Sequence, residues 1–387
     1  MPPRAVTEFA RSMENNFETS KYWEFERILG LGSFGVTVLL KEREHAVEHR
    51  KRIALKLAQV GGIKQLENEI KWLRRLHGAK HIVKMLASCD DLVAAAREHG
   101  RGDRLTAFID STLWIFGKLR RVPPITAFDT LAGVKGPALA LEYLEHGDLL
   151  RFKEELDRLN AHPPNRILWS LFLCLIRACT GMAYPVGRPL ETASILETMP
   201  SDGREWKYMI HGDIAPRNIM LGYADGLNEH FTSPALKMID FGAATQFPTP
   251  GIALESNIHG VASIIANLID HGPMRRETVD WENHTTLAGA ILPSPHGHDP
   301  YPSVDLELRG LVARCMYTGP SKRPSLEEVL AITSNAVLTK TAVSFPDPTQ
   351  ETNGAIRAFW QRLIFDAPPS SPAWFDNSSV SMMSLDE

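Results

Sequence analysis

The first third of the chain alternates short apolar runs with turns, a pattern typical of β-strands. Leu66, Ile70, Leu73 and Leu76 instead recur at helical spacing with charged residues between them, which predicts a helix over residues 65–76. This part of the chain is therefore predicted to be a sheet with one helix. Strands are predicted over residues 23–29, 36–40, 52–57, 81–86 and 138–143.

The hydrophobic period becomes helical after Asp148. The combination of the two patterns predicts an α+β fold. Helices are predicted over residues 149–159, 166–183, 258–268, 304–317 and 325–333. The remaining segments are a poorly ordered N-terminal arm over residues 1–22, insertions near residues 90–136 and 187–207, and a partly disordered C-terminal extension over residues 341–387, whose residues 355–364 form an amphipathic patch.

Composition narrows the class of protein only slightly. The 387 residues are 44% apolar with a net charge of −4. A small negative net charge gives no overall electrostatic attraction to nucleic acid or to an anionic membrane. The longest apolar run, over residues 167–176, is too short to span a bilayer. Four cysteines form no CxxC pair and have no histidine at zinc-like spacing, so Cys174 and Cys179 are interpreted as core thiols. We expect a reducing compartment, the cytoplasm, with the nucleus as the alternative.

The clearest chemical signal is a short polar stretch over residues 211–220. Asp213 and Asn218 stand five residues apart, and Asp240 follows downstream before Phe241 and Gly242. Their carboxylate and amide oxygens suit a hard cation and a hydroxyl nucleophile. The stretch resembles the catalytic loop of eukaryotic protein kinases, H-R-D-x-x-x-x-N followed by D-F-G.

Four further motifs occur in the order of that family. They are G-x-G-x-x-G over residues 30–35, Ile-Ala-Leu-Lys over 53–56, a hinge-like strand over 139–149, and a Pro-x-x-Arg-Pro ending over 320–324. Each has a plainer interpretation: turn glycines, a lysine at a sheet edge, a buried strand entering a turn, and a surface cation at Arg323. The ordered set is more specific than any single motif.

The resemblance implies a two-lobed protein-kinase-like fold, with an antiparallel sheet and one helix in the N-lobe (residues 23–146) and a mainly helical C-lobe (residues 147–340). It implies transfer of the γ-phosphate of ATP to a protein Ser/Thr or Tyr hydroxyl, with Asp213 as catalytic base and Mg²⁺ held by Asn218 and Asp240. The residues implied for ATP are Gly30, Gly32, Ser33, Phe34, Gly35, Thr37, Ala54, Lys56 with its partner Glu69 (Glu67 as fallback), and the backbone of Glu142 and Leu144.

Departures from the family pattern are informative. Gly212 replaces the Arg before the catalytic Asp, so we expect activity without phosphorylation of Thr245 or Thr249. Ala215 replaces the Lys typical of Ser/Thr kinases, and Arg217 supplies a charge at the position used by tyrosine kinases.

The segment after Gly242 is short and has two incompatible interpretations. Residues 253–255 resemble a worn A-P-E motif, whose Glu255 would pair with Arg323. Alternatively, the following large helix already starts near Asn257, in the place of the family's Asp. Two other functions stay open. His-Gly-Asp also resembles the small-molecule kinases for aminoglycosides and choline, and a pseudokinase scaffold would bind nucleotide without turnover.

Overall fold

The computed structural model describes most of the chain as an α+β protein. The described residues are 11, 14, 15, 17, 18 and 20 and the ranges 23–31, 35–43, 52–58, 61–89, 137–188, 192–203, 209–223, 228–247, 252–270, 277–294 and 296–365. The predicted insertion over 90–136 lies outside them, as do Gly32, Ser33, Phe34 and Thr249. The described residues divide into two compact units, one of residues up to 71 with 85–143, the other of 72–84 with 144–365. The sequence predicts an N-lobe that is continuous from residue 23 to 146, whereas residues 72–84 and 144–146 belong to the second unit.

A five-stranded sheet forms the first unit, with strand order β1-β2-β3-β5-β4 and every neighbouring pair antiparallel. The prediction for the fourth strand, residues 81–86, is wrong for most of its length, because Val83 N–H donates to the Met238 carbonyl and strand structure begins only at Met85. The strands are β1 (Trp23–Leu31), β2 (Gly35–Glu42), β3 (Arg52–Ala58), β4 (Met85–Cys89) and β5 (Ala138–Glu142).

The two faces of this sheet have different roles. Val36, Val38 and Leu40 of β2 point to one face and join a buried apolar cluster with residues of β1, β3, β4 and β5. Phe17 belongs to the same cluster at 4% exposure. The prediction of a poorly ordered arm is therefore wrong at Phe17, because the first unit needs that ring to complete its core.

Alternation places a second set of side chains on the opposite face. Thr37 of β2 lies beside Lys56 of β3, and Lys56 lies beside Leu139 of β5. Helix α1 (Ile63–Leu76) begins two residues before its predicted start, and its residues up to 71 belong to this unit.

Helices dominate the second unit. Within its described residues they are α2 (Leu149–Leu159), α3 (Asn165–Ala183), α4 (Ile252–Ile269), α5 (Leu306–Cys315), α6 (Leu326–Thr339) and α7 (Asn353–Trp360). Short antiparallel pairs are β6 (Met209–Ile210) with β9 (Thr245–Gln246), β7 (Ile219–Leu221) with β8 (Leu236–Met238), and β10 (Val279–Trp281) with β11 (His284–Thr286).

Helix α3 is the centre of this unit and packs against α4 and α6. Both α3 and α4 are long and apolar enough, by length and composition, to cross a membrane, and 94% and 56% of their apolar windows are buried within the fold. Burial on nearly every side accounts for the apolar composition of α3, as the sequence predicts. Helix α4 begins at Ile252, six residues before its predicted start.

The predicted amphipathic patch near the C-terminus is packed in the second unit. Trp360 of α7 stacks on Phe152 of α2, with ring centroids 5.1 Å apart, and its indole N–H donates to Ser233 Oγ at 3.4 Å. Ile356 of the same helix is fully buried. The C-terminal extension is thus ordered through residue 365, beyond which the predicted disordered tail lies outside the described residues.

Candidate active site

A β-hairpin positions the two predicted metal ligands. Ile219 of β7 pairs with Met238 of β8, and the Ile239 N–H donates to the Asn218 carbonyl at 2.9 Å. Asn218 comes directly before β7, and Asp240 follows two residues after β8. Because antiparallel strands bring the start of one beside the end of the other, both residues lie at the same end of the hairpin.

The Asp213 carboxylate is held by two neighbours on the same loop. Arg217 Nη2 donates to Oδ1 at 2.6 Å, and Asn218 Nδ2 donates to Oδ2 at 2.9 Å. A turn of 3₁₀ helix over Pro216–Asn218 brings both donors back toward Asp213. The Asp213 side chain remains 38% exposed, so it is accessible from solvent.

Asn218 also stabilises the loop backbone. Its amide nitrogen makes a second bond to the Asp213 carbonyl, again at 2.9 Å. Both bonds use the nitrogen, which leaves the amide oxygen as an oxygen ligand for a hard cation.

His211 links the loop to the segment that precedes Asp240 through two hydrogen bonds. Its Nε2–H donates to the Ile239 carbonyl at 3.0 Å, and its Nδ1 accepts the Asp213 N–H at 3.2 Å, a pattern that requires the neutral imidazole. The ring packs on Phe241 with centroids 4.7 Å apart. Burial lowers the pKa of His211, outweighing the opposite effect of its bond to Ile239. The imidazole therefore connects the loop to the Asp240 segment as a neutral group.

The backbone explains why glycine precedes Asp213. Gly212 has a φ of +83°, and a Cβ added there would lie 2.5 Å from the Ala243 carbonyl oxygen. No side chain fits that space without moving the segment after Asp240. Asp240 is itself left-handed, with a φ of +62°, a conformation that non-glycine residues adopt at a cost. The departure from the kinase Arg thus follows from the close approach of two loop segments.

Helix α4 supports the same loop through one buried amide. Asn257 Oδ1 accepts the His211 N–H at 3.2 Å, and its Nδ2 donates to the Met209 carbonyl at 2.7 Å. Asn257 lies inside α4 rather than at its start, so the loop rests on the side of the helix.

Residues 253–255, which resemble a worn A-P-E motif, form the first turn of α4. Arg323 does contact Glu255, but through the backbone: Nη1 donates to the Glu255 carbonyl and Nε to the Tyr317 carbonyl, both at 2.9 Å. Burial lowers the pKa of Arg323, and the charge of Glu255 opposes this. The plain surface-cation interpretation therefore does not describe Arg323.

In the first unit, the sheet face opposite the core cluster holds a charged pair. Lys56 Nζ donates to Glu69 Oε2 at 2.6 Å, and the Glu69 side chain is only 1% exposed. Glu67, the fallback partner, is exposed. Ala54 lies two residues before Lys56, on the same face, and is buried.

The glycines of the predicted phosphate loop differ in their surroundings. A Cβ on Gly35 would lie 2.4 Å from the Leu57 carbonyl oxygen, so the close pairing of β2 with β3 requires this glycine. Among the described residues, no atom lies within 4 Å of the Cβ position at Gly30. Glu142 ends β5 in the first unit and Leu144 is buried in the second.

No protein-family model and no curated protein sequence matches the chain. The loop geometry and the Lys56–Glu69 pair are therefore the observations on which a function is argued. Three contacts that support the site were not predicted from the sequence. They are the close approach of Gly212 to Ala243, the two hydrogen bonds of the Asn257 side chain, and the hydrogen bond from Trp72 Nε1 to the Ala244 carbonyl at 3.0 Å. The sequence signal for the first two contacts was that Gly212 and Asn257 differ from the residues that the family pattern has at these positions.

Proposed function

We propose that the protein is an ATP- and Mg²⁺-dependent phosphotransferase with a two-lobed protein-kinase-like fold, whose first acceptor class is a protein Ser/Thr or Tyr hydroxyl. The observation that supports this most is the carboxylate of Asp213, fixed by Arg217 and Asn218 beside the end of the hairpin that leads to Asp240. Phosphoryl transfer requires mainly positioning and charge neutralisation, and these residues supply both.

The donor set fits Mg²⁺, which prefers oxygen ligands such as the Asn218 amide and the Asp240 carboxylate. When bound, the ion would neutralise charge on the β- and γ-phosphates. Asp213 would orient the acceptor hydroxyl and take its proton as the new O–P bond forms. The bond from the γ-phosphorus to the β–γ bridging oxygen breaks, and ADP leaves. Arg217 and Asn218 keep the carboxylate in one rotamer for this step.

Lys56 suits the second requirement, a cation for the α- and β-phosphates. Its ammonium is 20% exposed and is held by the buried Glu69 carboxylate at 2.6 Å. The resemblance further assigns adenine contacts to the backbone of Glu142 and Leu144. Arg217, in the place used by tyrosine kinases, leaves the type of acceptor residue open.

A small-molecule acceptor is the second candidate, favoured by one observation. Helix α4 begins at Ile252, so only residues 243–251 separate it from Gly242. The family's peptide-docking platform normally occupies that connection. A reduced platform suits a compact hydroxyl substrate, such as an amino sugar or an amino alcohol.

Radiolabelled ATP offered with mixed proteins and with a metabolite panel separates these classes. Magnesium-dependent label on proteins supports the first proposal, and label confined to metabolites supports the second. Asp213→Asn should keep its fold and nucleotide affinity while transfer falls by about 10²- to 10⁴-fold. Asp280→Asn, an exposed acid on the β10–β11 hairpin, is the matched control and should transfer normally. Nucleotide binding without any transfer would refute both proposals and favour a pseudokinase scaffold.

A further inference from the structure

Three metal-ligating side chains, none of them part of the loop described above, meet in the interior of the second unit. They are His81, Cys174 of α3, and His230, which ends a short 3₁₀ turn. One ligand atom from each lies within 4.8 Å of the others, and all three residues are at most 1% exposed. We propose that this His81–Cys174–His230 cluster binds a zinc-type divalent cation.

The distances are close to those of a tetrahedral site. The Nε2 atoms of His81 and His230 lie 3.1 Å apart, and zinc–nitrogen bonds of 2.0–2.1 Å would place them about 3.3 Å apart. Cys174 Sγ lies 3.9 Å from Nδ1 of His230, the ring nitrogen other than the one that faces His81. Because an imidazole binds one ion through one nitrogen, coordination by all three groups requires the His230 ring to reorient and the cluster to contract by up to about 1 Å, since a zinc site spaces nitrogen and sulfur at about 3.6 Å. A water molecule would complete four-coordination.

A buried carboxylate orients the first ligand. Glu197 Oε2 lies 2.7 Å from His81 Nδ1, and Oε1 accepts the His81 backbone N–H, also at 2.7 Å. This arrangement favours the proton on Nδ1 and turns Nε2 of His81 toward His230 as the unprotonated nitrogen. Carboxylate–histidine–metal triads use the same geometry to fix the tautomer and raise ligand basicity. Glu197 is thus a positioning residue.

Charge balance also suits a divalent ion. Arg177 forms an ion pair with Glu229, so these two charges cancel, and Glu197 leaves one buried negative charge. Cys174 would bind the cation as a thiolate, the form of cysteine that serves as a metal ligand. A thiolate and Glu197 together carry two negative charges, which a divalent cation neutralises. Without metal, a proton on His81 would have to balance Glu197, and this is the competing state.

Helix α3 offers an internal control. Cys179 is buried five residues after Cys174, and burial raises its thiol pKa to about 12. It therefore has the same burial without the two imidazoles. The sequence showed no zinc spacing, because the three ligands are 56 to 149 positions apart in pairs.

The test uses full-length protein without a polyhistidine tag. Elemental analysis should find stoichiometric zinc, and cobalt exchange should give a thiolate-to-cobalt band in the near ultraviolet. That band should disappear in Cys174→Ser and persist in Cys179→Ser. Glu197→Gln should weaken zinc affinity by about 10- to 100-fold in a chelator competition.

X-ray absorption at the zinc edge of the wild type covers the case in which Cys174→Ser does not fold. One sulfur at about 2.3 Å and two histidine nitrogens at about 2.0–2.1 Å are expected. Protein that purifies metal-free and binds no added zinc would overturn the proposal. So would a shell without sulfur, or a cobalt band that survives in Cys174→Ser.

Discussion

Replacing Gly212 by Ala tests how the loop and the Asp240 segment are fitted together. The left-handed φ of +83° costs an L-residue about 1–2 kcal/mol. The added Cβ would lie 2.5 Å from the Ala243 carbonyl oxygen, and relieving such overpacking costs about 1–3 kcal/mol more. We therefore expect Gly212→Ala to lower the free energy of unfolding by about 2–5 kcal/mol in urea titrations.

Under the proposed function, the same change should reduce phosphoryl transfer. Asp213 follows directly, and a displacement of about 1 Å at a catalytic group can cost about 100-fold in rate. Gly297→Ala is the matched control, because Gly297 has a φ of +84° with open space around its Cβ position. Gly297→Ala should lower the free energy of unfolding by only about 1–2 kcal/mol, the cost of a left-handed backbone for an L-residue. Equal destabilisation of the two variants would refute the steric argument for Gly212.

Three further predictions concern contacts that lie within a single unit. Lys56→Met should lower stability by about 1–3 kcal/mol, because it removes the cation from the buried Glu69 carboxylate. In a double-mutant cycle with Glu69→Leu, additive losses would contradict this pairing. Arg323→Ala should cost about 1–3 kcal/mol, since two backbone carbonyls lose their donor. A change below about 0.5 kcal/mol would restore the surface-cation interpretation. His211 has a lowered pKa, so its stabilisation is complete above its ordinary value of 6.5 and declines as the pH falls toward the folded value. The stability advantage of wild type over His211→Gln should shrink below pH 6.5, and an advantage independent of pH would contradict a neutral His211.

Local patterns predicted many of the elements that are local in origin. Alternation along residues 36–40 and 52–57 identified β2 and β3 to within two residues, because each strand buries one face in the core cluster. The helix predicted over 149–159 coincides with α2, whose N-cap Asp148 accepts the Arg151 N–H. In these segments the local period and the tertiary packing agree.

Contacts between distant segments were beyond the reach of periodicity. Residues 81–86 have the apolar character of one strand, yet 81–83 bond to Met238 while β4 starts at Met85. The β10–β11 hairpin was missed, since three-residue strands give no measurable period. Likewise, the requirement for Gly212 comes from Ala243 and could not be read from its own neighbours.

The proposed function requires Asn218 and Asp240 to bind the metal of a magnesium–ATP complex. Titration calorimetry of the full chain with ATP, with and without Mg²⁺, tests it most directly. If the proposed function is correct, wild type and Asp280→Asn should bind ATP with a heat that depends on magnesium. In Asp240→Asn the heat of binding should no longer depend on magnesium. Heat that is absent in wild type, or that keeps its magnesium dependence in Asp240→Asn, would contradict the account.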